Sequence, residues 1–150
     1  MTLTVLAIGK LREPHFRAAA EEYLQRIRRF LPVEHFELPV AQGHDAVTRE
    51  AAAIERSWPR EGRVVALDVK GRQLSSDQLR DWIENIMTTA VPRVTFVIGG
   101  ASGLADRVLE RADIRLSLSA MTLPHELARV VLLEQLYRAL TMWKGLPYHK

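Results

Sequence analysis

Three short apolar runs that end at glycine constrain this chain more than any other feature: LTVLAI over 3–8 meets Gly9, VVALDV over 64–69 is followed by Gly71, and VTFVI over 94–98 runs directly into GGASG. Runs of this length without polar alternation belong to strands buried on both faces, as in a parallel sheet covered by helices. Between them, Phe16, Ala20, Tyr23, Leu24, Ile27 and Leu31 recur at helical spacing from Pro14 until Pro32 stops the pattern. VEHFEL over 33–38 reads as a further strand, and Val47, Ala51, Ile54 and Trp58 form one face of a helix closed by Pro59. Ser75 and Gln78 make a capping box opening a helix with Leu79, Trp82, Ile83 and Ile86. A short helix over 104–112, a weak strand LSLS over 116–119 and a long helix with Pro124 at its first position complete the series, and the tail leaves that helix at Gly145. The alternation predicts one α/β domain over 1–150, with a mostly parallel sheet of five to six strands and helices on both faces. Ligands of such sheets bind past the carboxyl ends of the strands.

Composition narrows the function classes. The 150 residues carry 21 Lys plus Arg against 18 Asp plus Glu, a net charge of +3, so an anionic partner is allowed without being demanded. The chain has no Cys, which excludes disulfides, thiolate metal sites and cysteine nucleophiles. The opening MTLTVLAIGKLREPHF lacks a basic region before its apolar run and a small-residue cleavage site after it, so a cytoplasmic protein is expected. The most apolar segment, 127–143, is interrupted by Arg129, Glu134, Gln135 and Arg138, which argues against a membrane span.

The final helix stands apart because Leu127, Val130, Val131, Leu132, Leu133, Leu136, Tyr137 and Leu140 wrap most of its circumference. A helix apolar all round is buried on more than one side, and a homodimer interface is the economical expectation, with a central helix inside one core as the alternative. Glu134 and Arg138 have the spacing of an ion pair within or across that interface.

GGASG over 99–103 follows the wrong strand for a dinucleotide fingerprint, and Leu104 and Ala105 stand where a P-loop requires Lys and Ser or Thr, so neither NAD nor ATP is indicated. HELAR over 125–129 imitates a zinc-protease helix, but Arg129 occupies the position of the second His, and no metal is expected. No G-x-S-x-G elbow exposes a serine. LSLSAMTLPHE over 116–126 offers backbone amides and carbonyls beside apolar side chains, a combination suited to a neutral heterocycle such as adenine; the plainer reading is a helix start with Thr122 near the cap. Arg129, Arg138, Lys144 and the tail GLPYHK supply cations, an aromatic ring and an imidazole suited to phosphate contact and base stacking, against the alternative of a solvated terminus.

Taken together and in order, VIGGASGL, LSLSAMTLPHELARVVLLEQLYRA, the terminal YHK, the opening LTVLAIGKLRE and the middle ALDVKGRQLSS resemble the SPOUT-class ribosomal RNA large subunit methyltransferase H family over the whole chain. The resemblance implies a homodimer with a C-terminal trefoil knot that uses S-adenosylmethionine to methylate N3 of a pseudouridine in large-subunit ribosomal RNA of assembled ribosomes. It implies a cofactor pocket lined by Leu67, Gly99 and the run Leu118, Ser119, Ala120, Met121, Thr122 and Leu123, which sit at the ends of the third, fourth and fifth predicted strands. It also implies a basic helix and tail near the site, with Arg138, Tyr148 and His149 as the candidate catalytic residues. Lys150 stands where some relatives carry Arg, exchanging a planar fork for a point cation.

Methyl transfer to a ring nitrogen requires alignment and loss of the N3 proton, so a base or a cation beside the developing anion accelerates it. His149 or a nearby Arg is expected in that role, with Tyr148 holding the target base. The competing reading is a non-catalytic RNA-binding or ribosome-associated factor of the same fold; a small-molecule enzyme is disfavoured by the missing phosphate motifs.

Overall fold

The computed structural model describes residues 1–150. In chain order the elements are β1 (Thr2–Ile8), α1 (Pro14–Arg28), β2 (Val33–Leu38), α2 (Ala46–Arg56), β3 (Arg63–Gln73), α3 (Ser76–Thr88), β4 (Arg93–Ile98), α4 (Asp106–Arg111), β5 (Ile114–Ser117) and α5 (His125–Trp143). The sheet has five strands in the order β2-β1-β4-β3-β5, and every pairing is parallel. Alternate residues of each strand face opposite layers. Leu3, Val5, Val65, Val94 and Phe96 meet α1, α3 and α5 on one face, while Leu6, Ile8, Val64 and Val97 meet Ala51 and Ile54 of α2 and Val108 of α4 on the other. Burial on both faces explains the uninterrupted apolar runs, each such side chain contributing about 1.5–3 kcal/mol relative to exposure.

Local signals act as the sequence suggests at two helix ends. Ser75 Oγ accepts from the Gln78 amide at 3.1 Å while Gln78 Oε1 accepts from the Ser75 amide at 2.8 Å, completing the capping box of α3. Gly145, with φ of +67°, ends α5: its amide bonds to Met142 O and that of Leu146 to Thr141 O, a Schellman arrangement open to glycine because a left-handed residue follows the last turn. Pro124 is the N-cap rather than the first helical residue, and its carbonyl accepts from Ala128.

Strands β3 and β5 depart from expectation for one shared reason. Strand β5 begins two residues earlier than the LSLS reading because Ile114 and Arg115 pair with Val65 and Ala66. Leu116 then pairs with both Leu67 and Arg72 of the same strand. The register shifts there: residues 68–71 loop out of the pairing as an arch, and β3 runs to Gln73. A Cβ on Gly71 would lie 2.7 Å from the carbonyl of Arg115, a distance only glycine permits at this close approach.

Helix α5 packs between α1 and α3. Leu132, Leu133, Leu136 and Leu140 are completely buried, and no residue from His125 to Trp143 is fully exposed. Much of its apolar circumference is thus covered within one chain, as in the central-helix alternative. No helix is long and apolar enough to cross a membrane.

Candidate active site

A crevice of about 480 Å³ opens past the carboxyl ends of β3, β4 and β5. Three segments form it: the arch after Leu67, the glycine turn after Ile98 and the loop between β5 and α5, with His125 and Ala128 closing it from the first turn of α5. The glycine turn is compact because its backbone folds on itself. The Gly103 amide donates to Gly100 O at 3.0 Å, and a Cβ on Gly99 would lie 2.7 Å from the carbonyl of Gly103. In the third segment, Ser117 Oγ donates to Ser119 O at 3.0 Å and Ser119 Oγ accepts the Met121 amide at 2.9 Å, so short hydroxyl bonds shape the loop.

Of the residues expected in the cofactor pocket, Leu67, Gly99, Leu118, Ser119, Met121 and Leu123 line the crevice. Ala120 and Thr122 belong to the same loop, are exposed, and do not line it. Thr122 is not the cap of α5, a position held by Pro124. The crevice also contains Asp68, Lys70, Asp106, Arg115 and His125, which the sequence reading left out. Asp68 and Lys70 directly follow Leu67, and His125 and Ala128 share one face at the start of α5, so position after a strand and i,i+3 spacing were the signals available. The two most exposed large apolar side chains, Met121 at 78% and Val69 at 65%, both line this crevice.

Arg138, Tyr148 and His149 form a second cluster. Arg138 pairs with Glu134 one turn earlier, Nη2 to Oε1 at 2.5 Å, and lies 5.0 Å from the centre of the Tyr148 ring. Tyr148 donates to Glu134 Oε1 at 3.0 Å and lies 3.5 Å from the hydroxyl of Tyr23. Burial, with the bonds to Tyr23 and Glu134, pushes the Tyr148 phenol well above its ordinary pKa. Arg138 Nη1 lies 3.2 Å from Nδ1 of His149. A guanidinium only donates, so Nδ1 accepts and the neutral imidazole carries its proton on Nε2. Arg138 is ten residues beyond Ala128 along α5, about 15 Å at the helical rise, and none of the three lines the crevice of its own chain.

The cations Arg129 and Lys144 have other surroundings. Arg129 is 1% exposed; it donates to Glu37 at 2.7 Å and to Gly9 O at 2.9 Å. Its expected part as a surface cation is therefore replaced by an internal one. Glu126 of the same HELAR segment accepts the amides of Arg12 at 2.5 Å and Glu13 at 3.1 Å. Burial alone raises the Glu126 carboxyl, but these two amide bonds outweigh it and hold the group below its ordinary range. Lys144 lies over the ring of Trp143, at 3.9 Å from its centre.

A family model described as a predicted SPOUT methyltransferase matches residues 1–149. Relatives named ribosomal RNA large subunit methyltransferase H include one from Alkaliphilus oremlandii, 36% identical with all of both chains covered, and one from Geobacter metallireducens, 43% identical with 99% of each covered. A Clostridium perfringens relative, ribosomal RNA large subunit methyltransferase H 1, is 40% identical over the whole of both chains. Among solved structures, a probable methylase family protein from Haemophilus influenzae shares the fold, with a TM-score of 0.58 at 13% identity over 99% of this chain and 70% of that one. The α/β architecture with its crevice at the carboxyl ends of three strands, the match over nearly the whole length and these relatives place one conclusion beyond the geometry: the chain belongs to the SPOUT methyltransferase family, within the ribosomal RNA large subunit methyltransferase H group.

Proposed function

We propose that this protein transfers a methyl group from S-adenosylmethionine to N3 of a pseudouridine in large-subunit ribosomal RNA, acting as a cytoplasmic homodimer on assembled ribosomes. The observation that carries this reading is the crevice itself, where segments from three strand ends converge on the residues that the family resemblance assigns to the cofactor. Its chemistry suits the group. Leu67, Leu118 and Leu123 supply apolar contact for adenine, loop amides and carbonyls supply hydrogen bonds, and Asp68 and Asp106 supply carboxylates for hydroxyl groups. Gly99 leaves a cradle that any side chain would close against Gly103. The proposed pocket residues also include Ala120 and Thr122, on the loop's exposed side.

When bound, S-adenosylmethionine supplies an electrophilic methyl group. The chain's own task is to hold the acceptor ring in line and to take up or compensate the charge on N3. Tyr148, kept protonated, holds the base through its ring and hydroxyl. Arg138 brings a permanent positive charge beside it, and His149 accepts the N3 proton at Nδ1 once Arg138 turns to the substrate. About 15 Å of α5 separates this cluster from the crevice of its own chain, which favours a dimer in which each tail serves the partner's crevice. The C-terminal trefoil knot is part of this reading through the family resemblance.

The test is transfer of isotope-labelled methyl from S-adenosylmethionine to assembled bacterial ribosomes lacking this modification, with the labelled nucleoside identified by mass spectrometry. Label on pseudouridine is expected, and His149→Ala is expected to lower turnover while leaving cofactor affinity intact. Cofactor binding without label would mean a different acceptor; neither binding nor label would favour a non-catalytic ribosome-associated factor. Sedimentation giving a 17.0 kDa species would contradict the dimer.

A further inference from the structure

Parallel topology sorts the charges of this chain between two edges of the sheet. Strands end and helices begin at the carboxyl edge, whereas helices end at the amino edge. Arg56 and Arg60, at and beyond the end of α2, lie at the amino edge. At the carboxyl edge, Lys10 and Arg12 follow β1, Lys70 lies in the arch that follows Leu67, and Arg72 pairs with Leu116 directly after it. All four are exposed, and none takes part in any ion pair of the chain. Because β4 lies between β1 and β3, the glycine turn after β4 separates the two pairs. Two strand spacings, about 10 Å, set the strand ends that carry them apart.

Both segments are held in place while these side chains stay free. After β1, the Gly9 carbonyl accepts from Arg129, the Leu11 amide donates to Glu37 at 3.0 Å, and the Arg12 amide donates to Glu126. In the arch, Asp68 Oδ1 accepts the Lys70 amide at 3.2 Å and Gly71 lies against the backbone of Arg115. Fixed loops that present unpaired cations lose little further freedom when an anion binds them.

Resting on the reading of the crevice as an RNA methyltransferase site, we propose that Lys10 with Arg12 and Lys70 with Arg72 are two phosphate anchors that hold an RNA strand across the carboxyl edge, one on each side of the nucleotide entering the crevice. Arg offers a phosphate a planar fork and Lys a point charge. Such contacts set register and orientation rather than base identity.

The experiment measures kcat/KM for methyl transfer to ribosomes lacking the modification over about 50–200 mM KCl, a range in which phosphate contacts dominate the salt response. Each neutralised phosphate contact contributes about 0.7 to the slope against log salt for single strands, so K10A/R12A and K70A/R72A are each expected to lower its magnitude by about 1.4. The amino-edge variant R56A/R60A is expected to keep the parent slope, and K10A/R12A to keep the parent affinity for S-adenosylmethionine. Unchanged slopes in both carboxyl-edge variants overturn the proposal, as does a loss confined to one pair or an equal loss in R56A/R60A. A parent protein that methylates no ribosomal RNA removes the functional reading itself, an outcome distinct from active variants with unaltered slopes.

Discussion

Arg129 Nη2, near the start of α5, donates to the carbonyl oxygen of Gly9 at 2.9 Å across 120 residues of sequence. The same guanidinium, at the start of the second turn of α5, donates through Nη1 to Glu37 at the end of β2, so one buried side chain ties the final helix to the carboxyl ends of β1 and β2. Glu37 is partly exposed, so removing the guanidinium forfeits the charged bond to it, about 1.5–3 kcal/mol, and orphans the Gly9 carbonyl, about 1–3 kcal/mol, without stranding a buried charge. Arg129→Ala is therefore expected to lower unfolding free energy by about these two amounts combined in urea titration. Arg129→Lys keeps the charge but cannot span Glu37 and Gly9 as a fork, and about 1–3 kcal/mol is expected to go with the lost contact. A lysine variant as stable as the parent would show that charge alone matters here.

Nothing near Arg129 in the sequence announces this. HELAR reads as a failed metal motif followed by a solvent-facing arginine because both partners, Glu37 and Gly9, are about a hundred residues away. The strands and helices were legible for the opposite reason: LTVLAI, VTFVI and the Ser75 capping box carry their signal within a few residues. Strand β5 was displaced by two residues because pairing to Val65 and Ala66, rather than its own pattern, sets where it starts. Within the crevice, the family resemblance supplied Leu67, Gly99 and the 118–123 loop, whereas Arg115 enters it only through pairing with β3.

Two glycines of the turn after β4 separate a steric requirement from a conformational one. A Cβ on Gly99 would meet the backbone of Gly103 at 2.7 Å, so Gly99→Ala must open the turn. Gly103 has φ of +77° and open space around it, so Gly103→Ala meets strain without collision, about 1–2 kcal/mol. Calorimetry with S-adenosylmethionine is expected to show tenfold or weaker binding for Gly99→Ala, about 1.4 kcal/mol or more, and a smaller loss for Gly103→Ala. Equal affinities in the two variants would remove the turn from the binding surface.

His35 couples stability to pH. Its Nε2 lies 3.5 Å from Nη1 of Arg129, and because the guanidinium cannot accept, the imidazole must do so in its neutral form. Burial first and the charge of Arg129 second push its pKa below the ordinary value of 6.5, while Glu37 and Glu21 oppose them and Arg28 adds to the lowering. The unfolded chain then binds a proton that the folded chain refuses, so stability is highest above about pH 6.5 and is lost as pH falls toward the depressed folded value. Thermal midpoints of the parent are expected to decline between about pH 7 and pH 5.5 more steeply than those of His35→Gln, whose amide accepts from Arg129 without titrating. Parallel curves for the two proteins would exclude His35 as the source.

Tyr148 and His149 stand next to each other in the chain, yet the structure assigns them different capacities. The Tyr148 hydroxyl donates to Glu134, and burial with that bond keeps it protonated beyond the ordinary tyrosine range. A phenol held in this way positions a ring and offers a donor, but takes no proton near neutral pH. Tyr148→Phe retains the edge contact with Tyr137 at 4.7 Å and the stacking of Arg138, and loses one bond to a carboxylate, about 1.5–3 kcal/mol at most. The expected outcome is a modest fall in stability and in affinity for ribosomes, with a pH–rate profile of the same shape as the parent. His149→Ala, by contrast, is expected to remove most of the turnover. If Tyr148→Phe abolishes turnover and His149→Ala does not, the proton leaves the acceptor ring through the tyrosine and the two assignments exchange places.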